Sequence, residues 1–421
     1  MIRIPKEVEK AMKTLETAGF ECYAVGECVR DALINLKPLD WDVATNAQID
    51  DMKKLFPECK VISTAKNIIR LEFGDIEDDG IILDISHYRN GENQVLTINE
   101  DLEGRGFTCN AIGVTLSRIP VDPFGGRKDI RERNMRTVGI VDKVFEENPE
   151  KMLEMIRIAA EMRFELPKDA KDAIAKCAEL LMTKNNAEVA TQLLLLVDSY
   201  NGCDTVQKLW DYGLLQVLIG KPYGKKLHIK EKSELDMYLK NIHKAEDDPL
   251  VKLSLLYLCF ENAKTRDAIK MLHFAPKIED NLITAHKEMN ISYTVNDKLK
   301  LKDFINRIGL DNYEFVQRVA LSRKLVLNER FDAPYKRAML MKQIKASNEV
   351  LTMDDVPITE ADILEAGIVS TEREAMELRC RVLDACLKEN FDKGSDFMAL
   401  ARDLKANKRK FQYKNIRWIK N

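Results

Sequence analysis

The sequence lacks several features that would assign it to a special class of protein. None of its nine cysteines forms a C-x-x-C pair, and their odd number argues against a disulfide framework. No apolar run approaches the length that spans a bilayer, and the first residues show no basic stretch followed by an apolar one. The sequence therefore predicts reduced, mostly buried thiols in a cytoplasmic protein with no membrane partner.

The chain also lacks a strong net charge. With 66 Lys and Arg against 69 Asp and Glu, its formal net charge is −3, so no overall positive field attracts nucleic acid. A nucleic-acid partner would have to be held by local basic patches. Hydrophobic residues make up 45% of the chain, an ordinary globular value, and 421 residues exceed the usual size of a single core. We expect two to four packed units.

The pattern of the sequence changes once along the chain. From Phe20 to about Arg136, short β-type runs alternate with Gly, Pro, Asn and Asp, which predicts an α+β head with a small mixed sheet. Beyond Val144, helical periodicity with few breakers continues to the end. The predicted domains are a head over 1–140, a helical neck over 141–220, a helical body over 221–350 and a helical tail over 351–421.

Two aspartates separated by one residue follow Pro38. On an extended strand, Asp40 and Asp42 would point to the same side of a sheet, where two carboxylates can share a cation. Oxygen ligands of this kind suit Mg²⁺, which bridges nucleotide phosphates. The same pattern is common in solvated turns after proline, so the motif alone leaves both interpretations open.

Segments on either side of this pair supply further candidates. Upstream, YAVGECVRDALINL predicts a strand, a turn at Gly26 and a helix whose first N–H groups and Arg30 suit a phosphate. Downstream, Asp84 lies within the apolar run IILDI, a costly place for a carboxylate unless it meets a cation or hydrogen bonds. A strand edge that faces water is the alternative for Asp84.

The order and spacing of these motifs resemble a known family. Five segments are similar, in the same order, to those of the class II CCA-adding tRNA nucleotidyltransferases and bacterial poly(A) polymerases: GECVRD from Gly26, DWDVAT from Asp40, DISHYR from Asp84, DLEGRGFTCNAI from Asp101 and FEENPEKMLEMIRIAAEMRFEL from Phe145. The resemblance implies a polymerase-β-like nucleotidyltransferase head followed by an all-helical neck, body and tail. It also implies a Mg²⁺-dependent reaction in which the 3′-hydroxyl of tRNA attacks the α-phosphate of CTP or ATP.

The same resemblance implies roles for individual residues. Asp40 and Asp42 would bind Mg²⁺, and Asp84 would orient or deprotonate the attacking hydroxyl. The implied nucleotide contacts are Gly26, Arg30, Arg105, Asn148, Lys151 and Arg157.

The implied RNA partner is tRNA, bound at its 3′ end, acceptor arm and elbow. The tail is the expected RNA-binding part, because the segment from Lys405 alternates basic residues with Phe411, Tyr413 and Trp418. A final amphipathic helix whose aromatic side chains pack inward is the alternative.

Several residues around the expected nucleotide differ from the family pattern. Glu27 stands in place of a second glycine, and Gly106 stands in place of an aspartate. Asn148 and Lys151 replace an aspartate and an arginine. These differences leave two hypotheses open: an active nucleotidyltransferase with altered nucleotide selection, and a catalytically impaired paralogue that binds tRNA or another RNA. Transfer to a small-molecule or protein hydroxyl is a third, because the carboxylates do not define the acceptor.

Overall fold

A computed structural model describes residues 2–38, 40–63, 67–73, 80–88, 97–199, 202–224, 229–260 and 263–406. It divides into two compact units, Met1–Leu227 with Met271–His273 and His228–Lys270 with Phe274–Asn421. The expected head, neck, body and tail form a finer division than these two units, and that division stays a prediction. Most of the basic and aromatic segment from Lys405, expected to contact tRNA, lies outside the described residues.

The first unit contains a seven-stranded mixed sheet among its described residues, which confirms the predicted α+β class. The strands are β1 (Cys22–Val25), β2 (Asp40–Thr45), β3 (Lys60–Ser63), β4 (Ile68–Phe73), β5 (Ile81–His87), β6 (Gly113–Val114) and β7 (Pro120–Val121). Their order across the sheet is β3-β4-β5-β2-β1-β6-β7. The β2–β5 pair is parallel, and the other pairs are antiparallel.

Helices alternate with the strands in the first part of the chain, and after β7 the regular elements described are helices. The helices of the first unit are α1 (Lys6–Thr17), α2 (Glu27–Leu33), α3 (Ile49–Leu55), α4 (Ile98–Glu103), α5 (Gly126–Glu132), α6 (Val141–Glu147), α7 (Glu150–Met162), α8 (Lys168–Cys177), α9 (Asn186–Asp198), α10 (Gly202–Asp211) and α11 (Leu214–Leu218). The change from mixed to helical structure occurs close to the predicted position, since α6 begins at Val141.

Burial along β2 explains how the sheet presents polar groups. Trp41, Val43, Ala44 and Thr45 are all buried, because β2 lies between β5 and β1 in the interior of the sheet. Asp40, in contrast, is exposed, and Asp42 is half-buried. The start of β2 therefore carries carboxylates at the point where the strand leaves the core.

A glycine fixes the turn that follows β7. A Cβ on Gly126 would lie 1.9 Å from the carbonyl oxygen of Thr108, so a larger residue cannot occupy this position without a backbone shift. Asp122 accepts a hydrogen bond from the Gly126 N–H at 2.7 Å, and the Thr108 hydroxyl donates to the buried Asp129 at 2.7 Å. These contacts attach α5 to the 3₁₀ turn Thr108–Asn110, which lies beside α2.

The regular elements of the second unit are helices in the residues that the structure describes. The remaining helices of the chain are α12 (Ile229–Asn241), α13 (Pro249–Leu258), α14 (Ala263–Met271), α15 (Pro276–Ser292), α16 (Lys298–Ile308), α17 (Leu310–Val326), α18 (Asp332–Ala346), α19 (Glu360–Glu365), α20 (Glu372–Glu389) and α21 (Phe397–Ala406). In the described part of the chain, no helix combines the length and the apolar character needed to cross a bilayer.

The cysteines behave as the sequence predicted. All nine are free thiols. Six of them are buried, namely Cys22, Cys28, Cys109, Cys177, Cys259 and Cys386. The other three are partly exposed, so the thiols are mostly buried and none forms a disulfide.

Candidate functional site

Three aspartates lie together on adjacent strands of the head. In the parallel register of β2 and β5, Asp42 lies opposite Asp84. Because register partners share a face of the sheet, and because alternate residues of a strand do so as well, Asp40 lies on that face too. The solvated-turn interpretation of Asp40 and Asp42 is wrong, because both residues belong to β2. The strand-edge interpretation of Asp84 is also wrong, because β5 lies between β4 and β2.

A fourth charged residue, which the sequence prediction missed, binds Asp84. Arg70 of β4 is the partner of Asp84 in the antiparallel register. Its Nε and Nη2 atoms donate to the two carboxylate oxygens at 2.7 and 2.8 Å. The only signal in the sequence was a single arginine within the strand run IIRLEF, and its partner becomes evident only from the register of the sheet.

Negative charge accumulates around Asp40. Partial loss of hydration, together with the carboxylates of Glu27 and Asp84, raises the pKa of Asp40 above its ordinary value. Arg70 opposes this shift. A divalent cation beside Asp40 would relieve the repulsion, so the electrostatics of the site favour cation binding.

The donor set fits a Mg²⁺ ion that completes its coordination shell from outside the protein. Asp40 and Asp42 offer carboxylate oxygens on one face of β2. Mg²⁺ is commonly held by one or two carboxylates, while substrate phosphates and water fill its other positions. Among the described residues, no three His, Cys, Asp or Glu side chains are grouped closely enough to hold a metal ion. The residues therefore fit an open two-carboxylate site.

The predicted turn at Gly26 lies next to these carboxylates. Gly26 has a φ of 83°, a conformation that favours glycine, and it separates β1 from α2 as the sequence predicted. A Cβ at this position would lie 3.0 Å from Nη1 of Arg105 and 3.6 Å from Oδ2 of Asp42. The glycine turn, the arginine and the aspartate therefore meet at one place.

Arg105 has an unsatisfied hydrogen-bond donor at this place. Its Nε donates to the buried Asp101 at 2.8 Å, and its side chain is only 9% exposed. Its Nη2 is buried and has no hydrogen-bond partner among the described residues. A buried donor without a partner is costly, and an anionic oxygen such as that of a phosphate would satisfy it. Arg105 therefore offers a buried donor that a phosphate oxygen would satisfy.

Arg30 lies in a different setting. It is 3% exposed, and its Nε donates to Asp31 at 2.8 Å. Its Nη1 donates to Asn110 at 3.0 Å and to Glu27 at 3.4 Å. These partners favour a role in holding the first turn of α2 against the 3₁₀ turn. A direct contact of Arg30 with a nucleotide stays a prediction.

Glu27, which stands where the family pattern has glycine, lies among several donors. Its carboxylate accepts from Asn110 at 3.4 Å and lies 4.0 Å from Nη2 of Arg157 on α7. Arg157 also donates to Glu161 at 3.2 Å, while its buried Nε has no partner in the part of the chain that the structure describes. The glutamate side chain remains 46% exposed, so it adds a solvated negative charge beside the predicted nucleotide contacts.

Lys151, near the start of α7, lies over Gly106. A Cβ on Gly106 would be 3.4 Å from the Lys151 Nζ, which also lies 5.7 Å from the ring centre of Phe107. The ammonium donates to Glu154 at 2.6 Å. Asn148 ends α6 and is half-buried, three residues before Lys151. Two positions that differ from the family pattern, 106 and 151, are therefore in contact with each other.

Comparisons with known proteins agree with this arrangement. Residues 22–136 match the family described as the poly A polymerase head domain. Poly(A) polymerase I of Salmonella typhi is 32% identical over 232 residues, which cover 51% of this chain and 50% of that protein. The CCA-adding enzyme of Geobacillus stearothermophilus is 34% identical over 179 residues, which cover 40% of this chain and 44% of that protein. The chain thus spans about half the length of these relatives.

Solved structures extend the likeness in fold beyond the head. The crystal structure of Bacillus stearothermophilus CCA-adding enzyme in complex with CTP superposes with a TM-score of 0.66 at 21% identity, covering 94% of this chain and 96% of that one. A complex of CCA-adding enzyme with ATP gives a TM-score of 0.58 at 16% identity, covering 94% and 95% of the two chains. Residues 22–136 therefore match the poly(A) polymerase head domain, and the chain has the fold of the CCA-adding enzymes.

Proposed function

We propose that this protein is a template-independent RNA nucleotidyltransferase that adds C, A or both, from CTP and ATP, to the 3′ end of tRNA. The observation that carries the proposal is the meeting of Asp40, Asp42 and Asp84 on one face of the sheet, beside the unsatisfied donor of Arg105. Relatives named poly(A) polymerase and CCA-adding enzyme, and neighbours solved with CTP and ATP, support the choice of substrates.

In the proposed reaction, the RNA 3′-hydroxyl attacks the α-phosphate of the nucleotide, and pyrophosphate leaves. Asp84 accepts a hydrogen bond from that hydroxyl and takes its proton. A Mg²⁺ ion at Asp40 and Asp42 would supply positive charge to the phosphate oxygens. Arg105 donates its unpaired N–H to a phosphate, and the missing Cβ of Gly26 lets the phosphate approach the backbone.

The base of the nucleotide would lie toward α7. Lys151 and Arg157 both belong to this helix, and Asn148 lies just before it. Asn148 offers both a donor and an acceptor, and Lys151 offers a mobile ammonium group with three N–H donors, one of which binds Glu154. We therefore propose that these residues contact the base with looser selection between CTP and ATP than an aspartate and an arginine would give.

Nucleotide addition to defined tRNA ends tests the proposal. Purified protein is incubated with Mg²⁺, radiolabelled CTP or ATP, and tRNA transcripts that end before CCA, after C or after CC. The control is the Asp40→Ala/Asp42→Ala double variant. Extension that needs both carboxylates supports the proposal, and product length identifies the nucleotides added. No extension of any of the three transcripts would reject it.

A catalytically impaired RNA-binding paralogue is the second candidate. The observation that favours it is the exposed carboxylate of Glu27 beside Arg157, which would repel a triphosphate. Mobility-shift assays with the same transcripts separate the two hypotheses, because binding without extension favours the paralogue and absence of both rejects it. A Glu27→Gly variant that gains extension activity would show that this residue causes the impairment.

A further inference from the structure

Four charged residues occupy consecutive register positions across the head sheet. Lys60 on β3 is the partner of Arg70 on β4, Arg70 is the partner of Asp84 on β5, and Asp84 is the partner of Asp42 on β2. Register partners point to the same face of a sheet. The line of charge therefore changes sign between Arg70 and Asp84, and Arg70 is the cation that borders the carboxylates.

The contact between Arg70 and Asp84 uses both oxygens of the carboxylate. Two parallel hydrogen bonds of 2.7 and 2.8 Å form the rigid fork that arginine makes with carboxylates. Such a fork fixes the plane of the carboxylate, and it leaves lone pairs free to accept a further hydrogen bond. The two side chains are 32% and 21% exposed, so a substrate hydroxyl can reach them.

The same fork opposes a shared metal ion. A carboxylate whose two oxygens already accept hydrogen bonds from a guanidinium has fewer lone pairs to offer to a cation held by its neighbour Asp42. Arg70 also carries a positive charge close to Asp40, whose electrostatic interaction with Arg70 is favourable. A divalent ion at Asp40 and Asp42 would therefore meet repulsion from Arg70.

We infer that Arg70 is a positioning residue. It orients Asp84 toward the attacking hydroxyl, so that the metal ion is bound by Asp40 and Asp42 and not by Asp84. The inference rests on the proposed function. It assigns two separable effects to one side chain: the fork orients Asp84, and the positive charge weakens binding of a divalent cation.

Two substitutions separate these effects. Arg70→Lys keeps the charge and loses the fork, whereas Arg70→Gln loses both. We expect Arg70→Gln to bind a divalent ion about three- to tenfold more tightly, because one nearby charge is removed. Arg70→Lys should stay within about twofold of the wild type in metal affinity, because its charge is retained. Both variants should lower kcat by about tenfold or more, since Asp84 is no longer oriented.

Mn²⁺ binding to the full-length protein without nucleotide, followed by electron paramagnetic resonance, measures the first effect independently of activity. Single-turnover extension of tRNA measures the second. Lys60→Gln is the matched control, because Lys60 lies on the same face, is 66% exposed and pairs with Glu72 at 2.7 Å. It should leave both Mn²⁺ affinity and extension rate unchanged.

The outcomes separate failure of this inference from failure of the proposed function. If Mn²⁺ binds the wild type but not Asp42→Ala, the metal site stands, and an unchanged Mn²⁺ affinity in Arg70→Gln then overturns the inference alone. If Mn²⁺ binding does not depend on Asp42, the proposed site itself fails. Should Arg70→Gln not fold, Arg70→Lys decides: wild-type kcat in that variant overturns the orienting role.

Discussion

A Cβ on Gly26 would lie 3.0 Å from Nη1 of Arg105. This distance is shorter than an ordinary van der Waals contact between carbon and nitrogen, so a side chain at residue 26 would require the Arg105 guanidinium to shift by a few tenths of an ångström. The same arginine is anchored by Asp101, and its buried Nη2 has no hydrogen-bond partner within the described part of the chain. The glycine and the arginine therefore act together, and a change at residue 26 should affect what Arg105 can bind.

Replacement of Gly26 by alanine should raise KM for CTP and ATP by about tenfold. The new Cβ would displace the Arg105 guanidinium by a few tenths of an ångström and so weaken its hydrogen bond to the phosphate. Steady-state extension of tRNA measures this change. Gly19→Ala is the matched control, since Gly19 has a similar φ of 88° but no atom within 4 Å of its missing Cβ. Both substitutions place a Cβ at a positive φ, and at Gly26, where ψ is −142°, the cost in stability should be about 1–3 kcal/mol. Equal KM values in the two variants would contradict the role of the contact.

Substitution of Asp42 by alanine should lower the rate of extension by about a thousandfold or more, because charge stabilisation by a metal is worth several kcal/mol. Affinity for tRNA should stay within about twofold, since RNA affinity comes mainly from contacts with the phosphate backbone. Filter binding and single-turnover extension measure the two quantities. Asp50→Ala, at a carboxylate whose side chain is 81% exposed, should change neither. If the Asp42→Ala variant kept its extension activity, the assignment of Asp42 to the active site would be wrong.

Local sequence patterns predicted those parts of the head whose structure depends on residues close together in the sequence. The alternation of D-W-D was compatible with a solvated turn and with a strand that has Asp40 and Asp42 on one face, and β2 has the second form. The strand, turn and helix around Gly26 were predicted in the same way. Asp84 was a candidate because a charged residue in an apolar run needs a partner. In each case, the physical constraint acts over a few neighbouring residues.

Features that depend on sheet register or on side-chain packing were not predictable in this way. Arg70 becomes a partner of Asp84 only when β4 pairs with β5 in the observed register. Arg30 is buried against Asp31 and Asn110, which lies 80 residues away in sequence, and its predicted contact with a phosphate stays a prediction. Nothing in a one-dimensional pattern specifies which of several basic residues the packing will bury.

The thiols of the head provide a chemical test of its packing. Burial raises the pKa of Cys28 and of Cys109 to about 12. At pH 8, about one molecule in ten thousand then carries the reactive thiolate at either position. Iodoacetamide should modify both far more slowly than it modifies the partly exposed Cys59.

Timed alkylation followed by peptide mass spectrometry measures these rates. Modification of Cys28 and Cys109 should rise about tenfold for each unit of pH, since the thiolate fraction rises in that proportion below the pKa. All nine thiols should react in urea, which serves as the control for intrinsic reactivity. Cys28 modified at the same rate as Cys59 in the native protein would contradict the packing of the head.

A buried ion pair in the second unit makes its stability depend on pH. Lys302 is fully buried, and its Nζ lies 2.5 Å from Glu349, which is 3% exposed and also pairs with Lys298. Burial acts to raise the pKa of Glu349, but the two ammonium groups outweigh it and hold the pKa below the ordinary range. A carboxylate with a lowered pKa stabilises the fold above its unfolded pKa, and this contribution is lost as pH falls through the folded pKa.

Glu349→Gln should therefore lower the free energy of unfolding at pH 7 by about 3 kcal/mol, because it leaves the buried charge of Lys302 without its carboxylate. Urea denaturation monitored by circular dichroism measures the loss. The difference from the wild type should shrink as the pH falls below the ordinary pKa of glutamate, about 4.3, and on through the lowered pKa of Glu349, because the wild-type carboxylate then becomes protonated as well. Asp311→Asn, which breaks an exposed pair with Lys277 at 3.3 Å, should cost less than about 1 kcal/mol. A loss in Glu349→Gln that stays constant over this pH range would show that the carboxylate does not stabilise the unit through its charge.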